Sequence, residues 1–132
     1  LAVYRFANGV EARVETSSLT CQPKPHWYVL GTEGTVVKEG LDPQEKAMIA
    51  GDIDSAIEAP ENYARLYGPE EETIIEPIPG RWRSYYENIA DALTGRAELA
   101  VTAQSVRQTL VAIEAARLSA AERRVVTPSE IA

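Results

Sequence analysis

The sequence predicts an α+β domain: an open mixed or antiparallel β-sheet with helices on one face. Two observations carry this. Residues 1–39 alternate apolar and polar side chains in short runs of β-formers broken by glycine turns. The last third carries two stretches whose apolar residues recur at helical spacing. Strands first and helices after them is the α+β order, not the strict alternation that builds a parallel sheet. At 132 residues and 14.4 kDa the chain is one domain's worth, long enough to bury a core.

Leu1–Ala7 is the first strand. Asn8-Gly9 follows, the pair that most strongly signals a tight hairpin. Val10–Thr20 is the return strand, with Val10, Ala12 and Val14 on one face and Glu11, Arg13 and Glu15 on the other. Gln22–Pro25 is a connector. His26–Gly31 and Thr35–Glu39 make a second hairpin around Thr32-Glu33-Gly34, and the two hairpins are expected to be neighbours in one sheet. Pro43 suits the first turn of a short helix over Gln44–Ala50, with Asp42 as its cap and Gly51 as its stop. Asp52–Asn62 reads equally as a loop or a poor helix. Tyr63–Tyr67 and Glu72–Ile78 form a last strand pair turning at Gly68-Pro69, with Pro77 and Pro79 placing it at a sheet edge. Ser84-x-x-Glu87 fits a capping box, though the helix could begin at Arg81; Tyr85, Tyr86, Ile89 and Leu93 form its stripe and Gly95 ends it. Thr102 caps the final helix, striped by Val106, Leu110 and Ile113, which runs to about Ala121 before an extended tail at Arg123–Val126.

Composition narrows the function. Thirteen basic against twenty acidic residues give a net charge of −7, which disfavours a nucleic-acid or anionic-membrane surface. A single cysteine, Cys21, cannot make an internal disulfide or a multi-cysteine zinc site, and a single histidine, His26, excludes histidine pairs. No apolar run approaches the ~20 residues of a membrane span, and no signal peptide is recognised at Leu1.

The candidate chemical groups read mostly as structural. His26 sits at a strand end and Cys21 reads as an inert thiol. Glu70-Glu71-Glu72 point to alternate sides of an extended segment, and Asp52-x-Asp54 lacks the glycine and distal glutamate of a calcium loop. Gly31-Thr32-Glu33-Gly34 lies between strands, without the lysine of a P-loop or the three glycines of a dinucleotide fingerprint. From the residues alone, the chain is an incomplete unit of an enzyme or an interaction domain.

Tyr85-Tyr86-Glu87-Asn88-Ile89-Ala90-Asp91-Ala92-Leu93-Thr94-Gly95, then Leu99–Ala103 and the long Ala-rich helix, resembles the C-terminal end of the Gfo/Idh/MocA family of NAD(P)-dependent oxidoreductases. Gly31–Thr35, Val37-Lys38 and Leu41-Asp42-Pro43-Gln44-Glu45 resemble its scyllo-inositol dehydrogenase-like subgroup, and Tyr4-Arg5-Phe6 with Asn8-Gly9-Val10 agrees. The resemblance covers nearly the whole chain but only the second half of the family's enzymes. It implies a dihydrodipicolinate-reductase/glyceraldehyde-3-phosphate-dehydrogenase-like C-terminal domain, truncated. Residues 1–132 would be its substrate and oligomerisation domain, with the N-terminal Rossmann domain, its glycine fingerprint and its Glu-Lys-Pro lysine absent.

The resemblance further implies a parent that moves hydride between NAD or NADP and a secondary alcohol of a sugar, polyol or inositol. This chain would hold no cofactor, no metal and no catalytic residue, and would be inactive alone. Its partners would be a second copy through the open sheet face, the Rossmann domain and the sugar or polyol, with no nucleic acid and no membrane. A cytoplasmic location follows from the same resemblance and the scarcity of cysteine. Lys38, Asp42 and Gln44, between the fourth strand and the short helix, are the candidate substrate-wall residues, since a polyol needs matched donors and acceptors. The alternative is a free-standing sheet-mediated interaction or ligand-binding module with no catalytic activity.

Overall fold

The computed structural model describes residues 1–131, which fall into two compact units: residues 1–20 with 97 onward, and residues 21–96. Every strand pair in both units is antiparallel, so the α+β expectation holds with the antiparallel of its two sheet types.

In the first unit, β1 (Ala2–Arg5) pairs with β2 (Glu11–Val14). The Phe6 amide donates to the Val10 carbonyl at 2.9 Å, and Gly9 takes φ 88°, a left-handed value that an L side chain resists. Ala2, Tyr4, Ala12 and Val14 share one face. Arg5, Glu11 and Arg13 share the other, where Glu11 pairs with both arginines. Helix α3 (Ala103–Glu122) completes this unit. Its N-cap is Thr102, whose Oγ1 accepts from the Ser105 amide at 3.2 Å, and Arg123 closes it in the left-handed conformation. Tyr4 donates its hydroxyl to the Ala112 carbonyl at 3.2 Å, and Ala115 is buried.

The second unit holds a four-stranded sheet in the order β3 (Trp27–Leu30), β4 (Thr35–Lys38), β5 (Ala64–Tyr67), β6 (Glu72–Ile75). The expectation that the first two hairpins share hydrogen bonds in one sheet is corrected here: β1–β2 ladders only with itself. The chain between β2 and β3 contains Pro23 and Pro25, which donate no backbone hydrogen bond, and it forms no ladder. β4 instead finds β5, across an intervening segment that forms α1 (Gln44–Ile49) and two 3-10 turns at Ile53–Ser55 and Pro60–Asn62. Those turns resolve the undecided stretch 52–62. β6 is an edge strand, as the nearby prolines suggested, and the chain leaves the ladder before Pro77.

Register places Tyr28, Val37, Arg65 and Ile74 in one row across all four strands, with Leu30, Thr35, Tyr67 and Glu72 in the next row on the same face. The Arg65–Glu72 ion pair joins these rows. The opposite face carries Trp27, Val29, Leu66 and Ile75, together with Lys38.

Helix α2 (Arg83–Leu93) closes the unit and stops at Gly95. Its expected capping box is absent. Arg81 Nη2 donates to Glu87 Oε1 at 2.8 Å and Arg81 Nη1 to Ser84 Oγ at 3.1 Å, so an arginine outside the helix takes both residues that would have capped it. The helix begins at Arg83, so Ser84 already lies inside its first turn and cannot be the cap.

Very little of this chain is buried. Only Ala115 and Gln44 are buried among the described residues. The chain exposes 11202 Å². A compact 14.4 kDa monomer would expose about 6,800 Å², and two separately folded halves of that mass about 8,200 Å².

Candidate functional site

Among the described residues one polar side chain is buried, and it marks the site. Gln44 is 3% exposed at the first turn of α1. Asp42, two residues earlier, accepts from the Gln44 amide with Oδ1 at 2.9 Å, which is the capping role foreseen for it, although the helix boundary itself falls at Pro43. The Gln44 amide group donates to both Asp42 oxygens, at 3.1 and 3.0 Å. Its Oε1 accepts from the Trp82 backbone N–H at 2.8 Å, and the Trp82 indole Nε1–H donates to Asp42 Oδ2 at 3.0 Å. Two segments some forty residues apart are thereby locked together with every buried side-chain polar atom among the described residues partnered.

Gly80 permits this closeness: a Cβ there would stand 2.4 Å from Gln44 Nε2. Beside the lock lies a cavity of about 360 Å³, bordered by Trp82, Arg81, Arg83 and Asp54 among others. Arg83 pairs with Asp54 at 2.7 Å.

Lys38 lies near by. Its ammonium donates to the Glu39 carbonyl at 2.8 Å and to Glu58 at 3.1 Å, and both side chains of the ion pair are largely covered, at 19% and 16% exposed. The Lys38 charge also acts on Asp42.

Burial pushes the Asp42 carboxyl up. The Gln44 amide, the Gln44 side chain, the Trp82 indole and the Lys38 charge more than offset that and hold it below its ordinary value of 3.8. A carboxylate depressed on folding stabilises above its unfolded pKa, and that contribution is lost as pH falls through the folded pKa. The Trp82 indole N–H resonance is therefore expected to stay constant from neutral pH down to about 4 and to move only below it. In Asp42→Asn that acid transition should be missing; a Trp82 transition that survives the substitution would show the indole is not held by this carboxylate.

The other sequence candidates assemble nothing. Cys21 is exposed, and His26 packs edge-on to Trp27. Glu72 is taken by Arg65 and Asp54 by Arg83, and among the described residues no group of three His, Cys, Asp or Glu side chains is placed to hold a metal. Gly31–Gly34 closes a hairpin, the Gly31 amide donating to the Gly34 carbonyl at 2.8 Å. That strand–turn–strand geometry does not fit a dinucleotide pyrophosphate, which needs a helix N-terminus after the turn. No helix among the described residues is long and apolar enough to cross a membrane. Trp82 was missed in the sequence reading; Pro79-Gly80 just before it, a pair that allows close backbone approach, was the available signal.

The antiparallel sheets and their helices are the architecture of an oxidoreductase C-terminal domain. Residues 1–127 match the family model for the oxidoreductase family C-terminal alpha/beta domain, and the chain belongs to the Gfo/Idh/MocA family. It is 32% identical over 110 residues to the scyllo-inositol 2-dehydrogenase (NADP(+)) IolW of Bacillus subtilis, covering 77% of this chain and 31% of that one. It is 34% identical over 112 residues to the uncharacterized oxidoreductase YdgJ of Escherichia coli, covering 80% of this chain and 32% of that one. Among solved structures it is similar to yvaA of Bacillus subtilis, described as an oxidoreductase, with a TM-score of 0.74 at 28% identity over 83% of this chain and 36% of that one. A Klebsiella pneumoniae oxidoreductase structure gives 0.74 at 26% identity, over 84% and 33%. The chain thus spans about a third of the length of the curated relatives it matches.

Proposed function

We propose that residues 1–132 are the C-terminal substrate and oligomerisation domain of an NAD(P)-dependent dehydrogenase acting on a secondary alcohol of a sugar, polyol or inositol. The observation that carries this is the family match over residues 1–127 in a chain that spans 31% of a relative named scyllo-inositol 2-dehydrogenase (NADP(+)). The nucleotide would be held by a Rossmann domain outside this chain, and the chain itself would wall the substrate pocket. A cytoplasmic setting suits the same reading, because an exposed free thiol at Cys21 persists in a reducing compartment.

Lys38, Asp42 and Gln44 form the proposed wall, and hydrogen-bond arithmetic separates their roles. Gln44 turns its amide nitrogen to both Asp42 oxygens and its carbonyl to Trp82. Asp42 accepts from Gln44 three times and from the indole once. Lys38 has three donors, two of them committed to Glu39 and Glu58, leaving one for a hydroxyl. Lys38 would therefore touch the polyol, while Asp42 and Gln44 shape the wall.

The test is hydride transfer to NADP by the full-length protein that carries this chain, with inositols and aldoses as donors. Turnover is expected from the full-length protein and none from the 132 residues alone. Lys38→Met is expected to raise KM by about tenfold to a hundredfold with kcat little changed, the loss of one charged hydrogen bond made equally in ground and transition states. A full-length protein that oxidises no polyol, or a 132-residue chain that turns over unaided, refutes the assignment; the first result would favour the free-standing interaction module.

A further inference from the structure

We propose that the cavity beside Trp82 is the subsite on which the ring of the substrate lies, with the Trp82 indole as its stacking platform and Arg83 and Asp54 binding ring hydroxyls. This rests on the polyol reading above and names a binding residue beyond the wall already assigned.

The depression, about 360 Å³, is open to solvent on one side, so a ring can lie against it without being enclosed. Its lining is split in character: an aromatic ring on one part, guanidinium and carboxylate groups on another. A cyclitol or pyranose is split the same way, with C–H bonds on its faces and hydroxyls around its rim. The electron-rich face of an indole attracts polarised C–H bonds. A guanidinium offers five donors and a carboxylate about four acceptor sites, so the Arg83–Asp54 pair keeps capacity on both members for hydroxyls, each of which both donates and accepts.

Orientation of the platform is already settled by the fold. Trp82 is held at two points, its indole N–H by Asp42 and its backbone N–H by Gln44, so little side-chain freedom is left to lose on binding. Yet the residue remains 40% exposed, which leaves ring surface for a ligand to cover. Asp42 and Gln44 act here as positioning residues, through the indole.

The experiment uses the full-length protein carrying this chain, labelled at the indole nitrogens and titrated with scyllo-inositol, myo-inositol, glucose and inorganic phosphate. A saturable shift of the Trp82 indole N–H with a polyol, and none at Trp27, is expected. Trp82→Ala should raise KM about tenfold or more while kcat stays within about twofold, and Trp82→Phe should recover part of the loss, because a ring remains to stack on but the N–H that Asp42 holds does not. Polyol turnover with KM unchanged in Trp82→Ala overturns the subsite and leaves the proposed activity standing. So does an indole that answers to phosphate and not to polyols. Absence of turnover and binding with every polyol removes the activity, and the subsite with it.

Discussion

Replacing Ile74 with aspartate is expected to split the assembled full-length protein into monomers. The prediction starts from the excess surface. The chain exposes about 3,000 Å² more than two separately folded halves of its mass would. A standard-sized interface takes about 800 Å² from each partner, so the excess is large enough for an obligate one. In the four-stranded sheet, the face with Lys38 already receives Glu58 from the chain's own intervening segment. Both faces carry exposed large apolar side chains, Trp27 62% and Val29 53% beside Lys38, Tyr28 61% and Ile74 58% on the other, which also holds the Arg65–Glu72 pair. We propose that this second face meets its counterpart on another copy, in an isologous contact where each substitution counts twice.

An aspartate at position 74 would remove about 1.5–3 kcal/mol of apolar burial per copy and put a carboxylate into the interface beside Arg65, whose guanidinium already serves Glu72. Together these should weaken dimerisation by about a thousandfold or more. Light scattering after size exclusion reads the result, with Ile74→Val as the control that keeps the dimer and Tyr28→Asp as the independent second variant. Unchanged particle mass in both aspartate variants, with native circular dichroism retained, would show that the sheet meets no second copy through this face.

What the sequence made legible was local. The Asn8-Gly9 hairpin, the hairpin closed at Gly31–Gly34, the turn after Tyr67 and the Thr102 cap were all read correctly, because each depends on turn chemistry or period over fewer than about ten residues. The failures lie where partners are distant or compete. Nothing within β2 or β3 says that their edges do not meet, since pairing is decided by loop closure and not by alternation. Ser84 and Glu87 had the spacing of a reciprocal cap, but Arg81 offered both a charged donor. The candidate site was half visible. Asp42 and Gln44 were picked out as polar residues beside a short helix, whereas Trp82, the residue they hold, lies forty positions from Asp42 and carries no periodic signal.

The lock between those segments yields the second large effect. Gln44→Leu keeps the bulk of the side chain but strands the Trp82 backbone N–H and takes one hydrogen bond from each Asp42 oxygen, which keep only the residue-44 amide and the Trp82 indole. Each partly buried polar group left unpaired costs about 1–3 kcal/mol. In a domain of this size each kcal/mol lowers the melting midpoint by about 4–8 °C. Gly80→Ala should produce a similar loss from the other side, since its Cβ would displace the Gln44 amide from 2.4 Å away.

Gln44→Glu separates polarity from shape. Its carboxylate still accepts from the Trp82 N–H, but at neutral pH it faces the Asp42 carboxylate in place of a donor. Its stability should therefore be lowest at neutral pH and recover as acid protonates the new carboxyl and restores one donor to Asp42. Melting curves across pH, followed together with the Trp82 indole resonance, check the set. A Gln44→Leu protein that melts with the parent and keeps its Trp82 resonance would show that the segments are joined by something other than this glutamine. Recovery of Gln44→Glu in acid, absent from Gln44→Leu, would trace the join to the hydrogen bonds themselves, because leucine and glutamate fill comparable space at this position and differ in what they can donate.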